Sequence, residues 1–242
     1  MSVSDRYSKA WEGFWEETSG VPGEAIWDAD PALTAVPHLA LLEPYLDPAL
    51  PIVDLGCGNG TQTRFLATRF PRALGVDLSR AAVEHARRSS GAAGGRGAEF
   101  EQLDLVDTAD VRALHGRLGD CNVYMRAVIH QSDPQDRAAV AEAVAELVGT
   151  RGRGFVVELR GRAKEVLQEV ARQPGGPTRK LQRVFAHGLR PAEAADDEVR
   201  ELLRAAGLEL FAEGDIDLAM EEFHADGRRI ELPARWFVTG RH

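Results

Sequence analysis

The chain has 242 residues, enough for one large domain or two small ones, and 44% of them are apolar, enough for a substantial core. Its net charge of −9 comes from acids spread along the chain, with no basic stripe, so nucleic acid is not expected as a partner. Two cysteines, Cys57 and Cys121, make no disulfide framework. The N-terminus is polar and aromatic and no apolar run reaches membrane-spanning length, so the expectation is a cytoplasmic monomer or homodimer with no membrane partner.

In chain order, an aromatic arm comes first. Tyr7, Trp11 and Trp15 recur at one-turn spacing, with Phe14 among them and Trp27 beyond. The spacing predicts a helix in residues 1–31, either packed on the domain or closing over a site as a lid with an aromatic wall. "LPIVDLG" predicts a buried strand over 51–55, followed by a helix from Thr61 to Arg69. "RALGVDLS" predicts a second strand ending at Asp77, with Ser79 capping a helix through Arg88. After a glycine-rich connection at 89–97, "AEFEQLDL" predicts a third strand over 98–103, and Val111, Leu114 and Leu118 mark one helix face. "CNVYMRAVI" reads as a fourth strand. Asp133-Pro134 reads as a cap and first helical position, and Val140, Val144, Leu147 and Val148 as the stripe of that helix. "GFVVELR" is a fifth strand. Residues 162–191 read as a helical insertion broken at "RQPGGPT", and 192–242 as a helix, a glycine stop and further strands.

Strand and helix alternate, and the strands are nearly continuous in apolar residues. That pattern predicts an α/β fold with a parallel sheet covered on both faces. Ligands of such sheets bind at the C-terminal strand ends, where strand order reverses. The expected organisation is one domain with an arm (1–31), a core (32–161), an insertion above the strand ends (162–191) and a C-terminal part (192–242).

Asp54-Leu55-Gly56-Cys57-Gly58-Asn59-Gly60 follows the first strand and opens a helix, so backbone N–H groups and a helix N-terminus face a ligand there. A P-loop needs Lys and then Ser or Thr after its last glycine, whereas Thr61-Gln62 stands here. A dinucleotide loop reads G-x-G-x-x-G; this one reads G-x-G-x-G, and Asp54 at its mouth repels a pyrophosphate but suits an ammonium group. S-Adenosylmethionine (SAM) carries an amino group and a sulfonium and no phosphate, so the loop favours SAM over NAD. Asp77, ending the second strand, suits two ribose hydroxyls. Asp104, ending the third, suits the adenine amino group, with Leu105 offering an N–H and an apolar edge. Each acid alone is an ordinary cap or strand end; three at successive strand ends behind a glycine loop are not. Cys57 reads as a small residue that fits the loop rather than as a nucleophile.

"VDLGCGNG", "GVDLS", "LDL", "NVYMRAVIHQ", "GRGFVVELRG" and "LLRAAGLEL" together resemble the motifs of class I SAM-dependent methyltransferases of the small-molecule type, over residues 40–160 and more weakly over 192–240. The resemblance implies a Rossmann-like, doubly wound, seven-stranded sheet, mostly parallel with a reversed last strand and helices on both faces. It implies that Gly56, Gly58, Asn59 and Gly60 line the methionine moiety and that Asp54 helps bind its amino group. It assigns Asp77 and Leu78 to the ribose, Asp104 and Leu105 to the adenine, and Met125 or Arg126 to the methionyl end. It implies SAM as cofactor and no metal.

Methyl transfer requires acceptor, methyl and sulfur in line, water excluded, and a base only where the acceptor starts protonated. His130, just past the fourth strand, is the candidate base; its ordinary reading is packing against the cofactor or capping a turn. Glu158 and Arg160 end the fifth strand at the same edge, where Arg160 suits an acidic acceptor unless the two pair with each other. Tyr7, Trp11, Trp15 and Trp27 are the candidate acceptor contacts of the arm. The expected reaction is methylation of a small molecule, at O or N of a secondary metabolite first, with a thiol close behind. The alternatives are an NAD-type oxidoreductase and a SAM-binding protein without catalysis.

Overall fold

The computed structural model describes residues 5–90, 97–172, 176–189, 195 and 197–241. Most of the glycine-rich connection at 89–97 and the centre of "RQPGGPT" lie outside the described residues. The arm contains α1 (Asp5–Glu16), and a single 3-10 turn at Pro31–Leu33 leads into α2 (Ala35–Leu42). The alternating core follows: β1 (Ile52–Leu55), α3 (Thr61–Leu66), β2 (Ala73–Asp77), α4 (Arg80–Ser90), β3 (Glu99–Gln102), α5 (Thr108–Leu118), β4 (Asn122–Arg126), α6 (Arg137–Val148) and β5 (Arg153–Leu159). The insertion forms α7 (Arg162–Ala171) and α8 (Arg179–Ala186), and the chain ends with α9 (Glu198–Ala205), β6 (Glu209–Phe223) and β7 (Arg229–Gly240).

The strands form one sheet in the order β3-β2-β1-β4-β5-β7-β6. The first five are parallel, and β7 runs antiparallel between β5 and β6. The chain steps outward from β1 to β3, then returns to the other side of β1 as β4, so strand order reverses between β1 and β4. Adjacent crossovers diverge there and leave a crevice at the strand ends.

Side-chain alternation sorts each strand between two cores. Ile52, Tyr124, Phe155 and Val157 face α2, the arm and the insertion. Val53, Leu55, Val123, Met125 and Val156 face the layer of α5, α6 and α9. Each fully buried aliphatic side chain contributes about 1.5–3 kcal/mol relative to exposure, and residues such as Leu42, Ile52 and Val123 have no accessible surface at all.

Several element ends differ from the expectation. Ser79 caps α4 as expected, its Oγ accepting from the Ala82 N–H at 3.1 Å. Asp133-Pro134 does not start α6: the segment closes a turn, with the Asp136 N–H donating to the Asp133 carbonyl at 2.8 Å, and the helix begins at Arg137. The helix after the glycine loop ends at Leu66, short of Arg69. The last two strands are far longer than "RWFVTGR" and its partner suggest, at 15 and 12 residues. Only 234–240 of β7 pairs with β5; the rest pairs with β6 alone and overhangs the sheet as a two-stranded ribbon. Among the described residues, no helix is long and apolar enough to cross a membrane.

Candidate active site

The crevice begins at the ends of β1 to β4 and continues beneath the arm towards the insertion and the ribbon. It encloses about 1580 Å³ of empty space, its solvent-filled mouth included. Fourteen of the residues singled out in the sequence line it: Tyr7, Trp11, Trp15, Trp27, Asp54, Gly56, Gly58, Asn59, Asp77, Leu78, Asp104, Leu105, Arg126 and His130.

At the strand-end side of the crevice, the Asp77 carboxylate holds the glycine loop. Its Oδ2 accepts from the Gly58 N–H and its Oδ1 from the Ser79 N–H, both at 2.9 Å. Gly58 adopts φ +54°, and a Cβ there would lie 2.8 Å from the Trp15 ring, so the arm as well as any ligand requires glycine. Asp54 is buried and its Oδ2 accepts from the Thr63 hydroxyl at 2.6 Å. Burial pushes the Asp54 carboxyl up to about 7 against the pull of Arg126, and burial likewise pushes Asp77 up to about 6. Asp104 ends the segment after β3, its Oδ1 accepting from the Val106 N–H at 2.9 Å. Burial and the two neighbouring acids Asp77 and Asp54 drive the Cys57 thiol well above its ordinary value, the opposite of what a nucleophilic thiolate needs.

Long-range bonds latch the arm onto this end. Asn59 Nδ2 donates to Asp28 Oδ2 at 2.6 Å, Gln62 Nε2 to the Ala29 carbonyl at 2.8 Å, and Arg126 Nη2 to the Trp27 carbonyl at 2.8 Å. On α1, Glu12 accepts from the Ser79 hydroxyl at 2.7 Å and the Trp15 carbonyl meets His85 Nε2 at 2.8 Å. Tyr7 bonds Ser132, and burial pushes its hydroxyl up to about 12. The aromatic residues do both jobs open to them: Trp27 packs on Phe14 at 4.9 Å and on Trp11 at 5.6 Å between centroids, while Tyr7, Trp11, Trp15 and Trp27 also face the crevice. Arg126 Nη1 is buried beside the crevice without a hydrogen-bond partner.

Just past the end of β4 stands His130, 1% exposed. Ala127 turns the chain after β4 with φ +62°, a left-handed conformation that costs a non-glycine residue about 1–2 kcal/mol. That turn aims three successive backbone N–H groups at Glu158. Oε1 accepts from Val128 at 2.9 Å and Ile129 at 2.8 Å, and Oε2 from the His130 N–H at 3.1 Å. Oε2 also accepts from His130 Nδ1 at 2.6 Å. A carboxylate surrounded by donors only accepts, so Nδ1 carries a proton, and in the neutral form of the ring Nε2 carries the lone pair. Nε2 is buried at the crevice wall with no partner.

Four residues singled out in the sequence lie off the crevice wall. Glu158 lies behind His130, because alternation along β5 turns it away from the crevice and Leu159 towards it. Arg160 shares that outward direction and pairs with Asp215 of β6 at 3.0 Å. Met125 is wholly buried in the α5–α6–α9 core, one residue out of phase with Arg126. Gly60 has φ +78° and abuts Phe100, whose ring would lie 2.5 Å from an added Cβ, so its glycine serves packing against β3.

Much of the rest of the lining is apolar: Leu159, Leu167 of α7, Leu181, Val184 and Phe185 of α8, and Leu218, Met220 and Leu232 of the ribbon. Sequence reasoning missed this lobe, and also Asp28, Thr61, Gln62 and Tyr124. Tyr124 bonds His38 Nδ1 at 2.8 Å, and burial drives that imidazole down to about 3. The sequence placed the insertion above the strand ends but gave no sign that the ribbon of β6 and β7 joins it in the wall. Among the described residues, no group of three or more His, Cys, Asp or Glu is placed to hold a metal ion.

Residues 52–152 match a family model described as a methyltransferase domain. A SAM-dependent methyltransferase from Anabaena variabilis shares the fold at a TM-score of 0.89 and 26% identity, covering 100% of this chain and 98% of that one. A structure described as the conversion of a disulfide bond into a thioacetal group during echinomycin biosynthesis shares the fold at a TM-score of 0.68 and 20% identity, covering 96% and 91%. The trans-aconitate 2-methyltransferase of Paracidovorax citrulli is 42% identical over 71 residues, 28% of this chain and 25% of that protein. The match thus spans a quarter of the length of that curated relative. Residues 52–152 thus match a methyltransferase domain, and the fold of the whole chain is that of a SAM-dependent methyltransferase.

Proposed function

We propose that this chain transfers a methyl group from SAM to a small molecule enclosed between the glycine loop, the arm and the insertion. The observation that carries the reading is the continuity of one crevice: carboxylates at three successive strand ends, a buried imidazole with a bare Nε2, then an aliphatic lobe. When bound, SAM supplies a methyl group on a positively charged sulfur. The residues present fit it. Asp77 keeps a free lone pair on each oxygen for ribose hydroxyls, Asp104 accepts from the adenine amino group, and Asp54 faces the ammonium. Arg126, with its unpartnered Nη1, faces the methionine carboxylate. The arm acts as a lid that excludes water, and His130 takes the acceptor's proton. Oxygen and nitrogen acceptors suit that base first; a thiol needs it less. Trans-aconitate, the acceptor in the relative's name, is a test case rather than an assumption.

Calorimetry with S-adenosylhomocysteine (SAH) and with NAD(H) tests the reading. SAH is expected to bind and NAD(H) not; tight NAD(H) binding with no SAH response would reverse it. Limited proteolysis tests the lid: cleavage within residues 5–30 is expected to slow when SAH is added, and unchanged cleavage refutes that role.

A further inference from the structure

The chemistry of the far lobe narrows the acceptor, and this step rests on the methyltransferase reading above. We propose that the acceptor is a neutral, largely apolar molecule that presents a protonated hydroxyl or thiol to His130 Nε2, and that carboxylate acceptors are disfavoured.

Three observations converge. First, the lobe past His130 is walled by Leu167, Leu181, Val184, Leu218, Met220 and Leu232, none of which can hydrogen-bond through its side chain with any strength. A carboxylate moved there would lose its hydration with no compensating donor. Second, the charges that line the crevice are unbalanced. Asp28, Asp54, Asp77 and Asp104 face one described cation, Arg126, which is tied to the arm by the Trp27 carbonyl and stands close enough to Asp54 to pull its carboxyl down. An anionic acceptor entering this crevice finds no described cation on its lining besides Arg126. Third, the His130–Glu158 pair is a device for removing a proton. Glu158 fixes the tautomer through four bonds on two oxygens, leaving Nε2 bare in the wall. Carboxylic acids titrate near pH 4 and are already ionised at neutral pH, so such a base is idle with them. Thiols near 8.5 and phenols near 10 are mostly protonated there, and for them the base matters.

The step balances without a further reagent. As the acceptor's oxygen or sulfur bonds the methyl carbon, its O–H or S–H bond breaks and the proton passes to Nε2. The bond from methyl to the cationic sulfur breaks with its electron pair leaving on sulfur. The products are a methyl ether or thioether, neutral SAH, and a proton that His130 later returns to solvent.

The test titrates SAH-saturated protein with 2-naphthol, 2-naphthalenethiol, 2-naphthoate and trans-aconitate, following heat and tryptophan fluorescence. At least one of the two neutral probes is expected to bind about tenfold or more tighter than either anion. Met220→Glu is expected to weaken the neutral probes about tenfold while SAH affinity is retained, which also reports that the variant is folded. Equal or tighter binding of an anion, no binding by either neutral probe, or neutral-probe affinity untouched in a folded Met220→Glu protein overturns the proposal. If the wild-type chain does not bind SAH, the methyltransferase reading itself falls; if SAH binds and the anions win, only the acceptor class falls.

Discussion

Replacing Glu158 by Gln probes the centre of the site with a change of one atom. The Glu158 carboxylate is 2% exposed and accepts four bonds, two on each oxygen. A glutamine keeps one oxygen and turns the other into an NH2 group, so two N–H donors face a donor. If the NH2 faces Val128 and Ile129, two backbone N–H groups are orphaned. If it faces His130, the ring can restore a bond only by moving its proton from Nδ1 to Nε2, which abolishes the bare lone pair. Bonds to a charged acceptor contribute about 1.5–3 kcal/mol each, so losing two and weakening two is expected to cost about 3–5 kcal/mol. For a chain of this size, about 2–4 °C is lost per kcal/mol, which makes a melting-point fall of about 10 °C. General-base catalysis contributes about 10²–10⁴-fold, so kcat on a hydroxyl acceptor is expected to fall in that range with SAH affinity held. Nitrogen-15 spectra of the imidazole read the tautomer directly and need no acceptor. Wild-type melting together with an unchanged Nε2 signal in Glu158→Gln would refute the account of the pair.

Asp77→Asn replaces an oxygen that bonds either Gly58 or Ser79 with a donor, and removes the charge that suits the ribose; SAH affinity measured by calorimetry is expected to fall roughly 100-fold, about 3 kcal/mol. Asp54 and Asp77 are acids raised to about 7 and about 6, so the folded free protein holds protons that the unfolded chain releases. Their contribution to stability is therefore greatest below the ordinary carboxylate range and is lost as pH rises through the folded values; Asp54→Asn is expected to flatten that part of the melting profile. Binding of a ligand with an ammonium group runs the other way, because it needs Asp54 ionised: SAH affinity is expected to rise about tenfold from pH 6 to pH 8, and a flat profile would place the ammonium elsewhere. Gly60→Ala puts a methyl at φ +78° against the Phe100 ring; strain and overpacking are expected to cost about 2–4 kcal/mol in urea unfolding, although Gly60 does not line the crevice.

Several features were legible in the sequence because they are local. A strand buried on both faces must be apolar along its length, and a helix must repeat its stripe, so β1 to β5 and the helices among them are written in short windows of residues. The glycine loop and the acids Asp54, Asp77 and Asp104 belong to the same grammar, since each lies within two residues of a strand's end. Roles that depend on facing were not legible. Met125 and Arg126 are adjacent, yet the pleat sends one to the core and the other to the crevice. Glu158 and Leu159 cannot be told apart as support and wall until β4 and β5 are paired and the left-handed Ala127 brings residues 128–130 onto the carboxylate.

 The same pairing separates Glu158 from Leu159, which faces the lobe, by a single step along the strand.

The sequence alone determined the alternation of strands β1 to β5 with helices and the glycine loop that follows β1, because each is specified by residues within about one strand or helix of one another. Tertiary structure alone decided which aromatic residues of the arm are wall and which are core, what Glu158 and Arg160 bond, and that an aliphatic lobe exists. Those outcomes depend on contacts between residues far apart in the chain: Trp27 with Arg126, Asp28 with Asn59, and α8 with the ribbon of β6 and β7. No short window contains both partners of such a contact, so its energy enters only when the whole chain has closed.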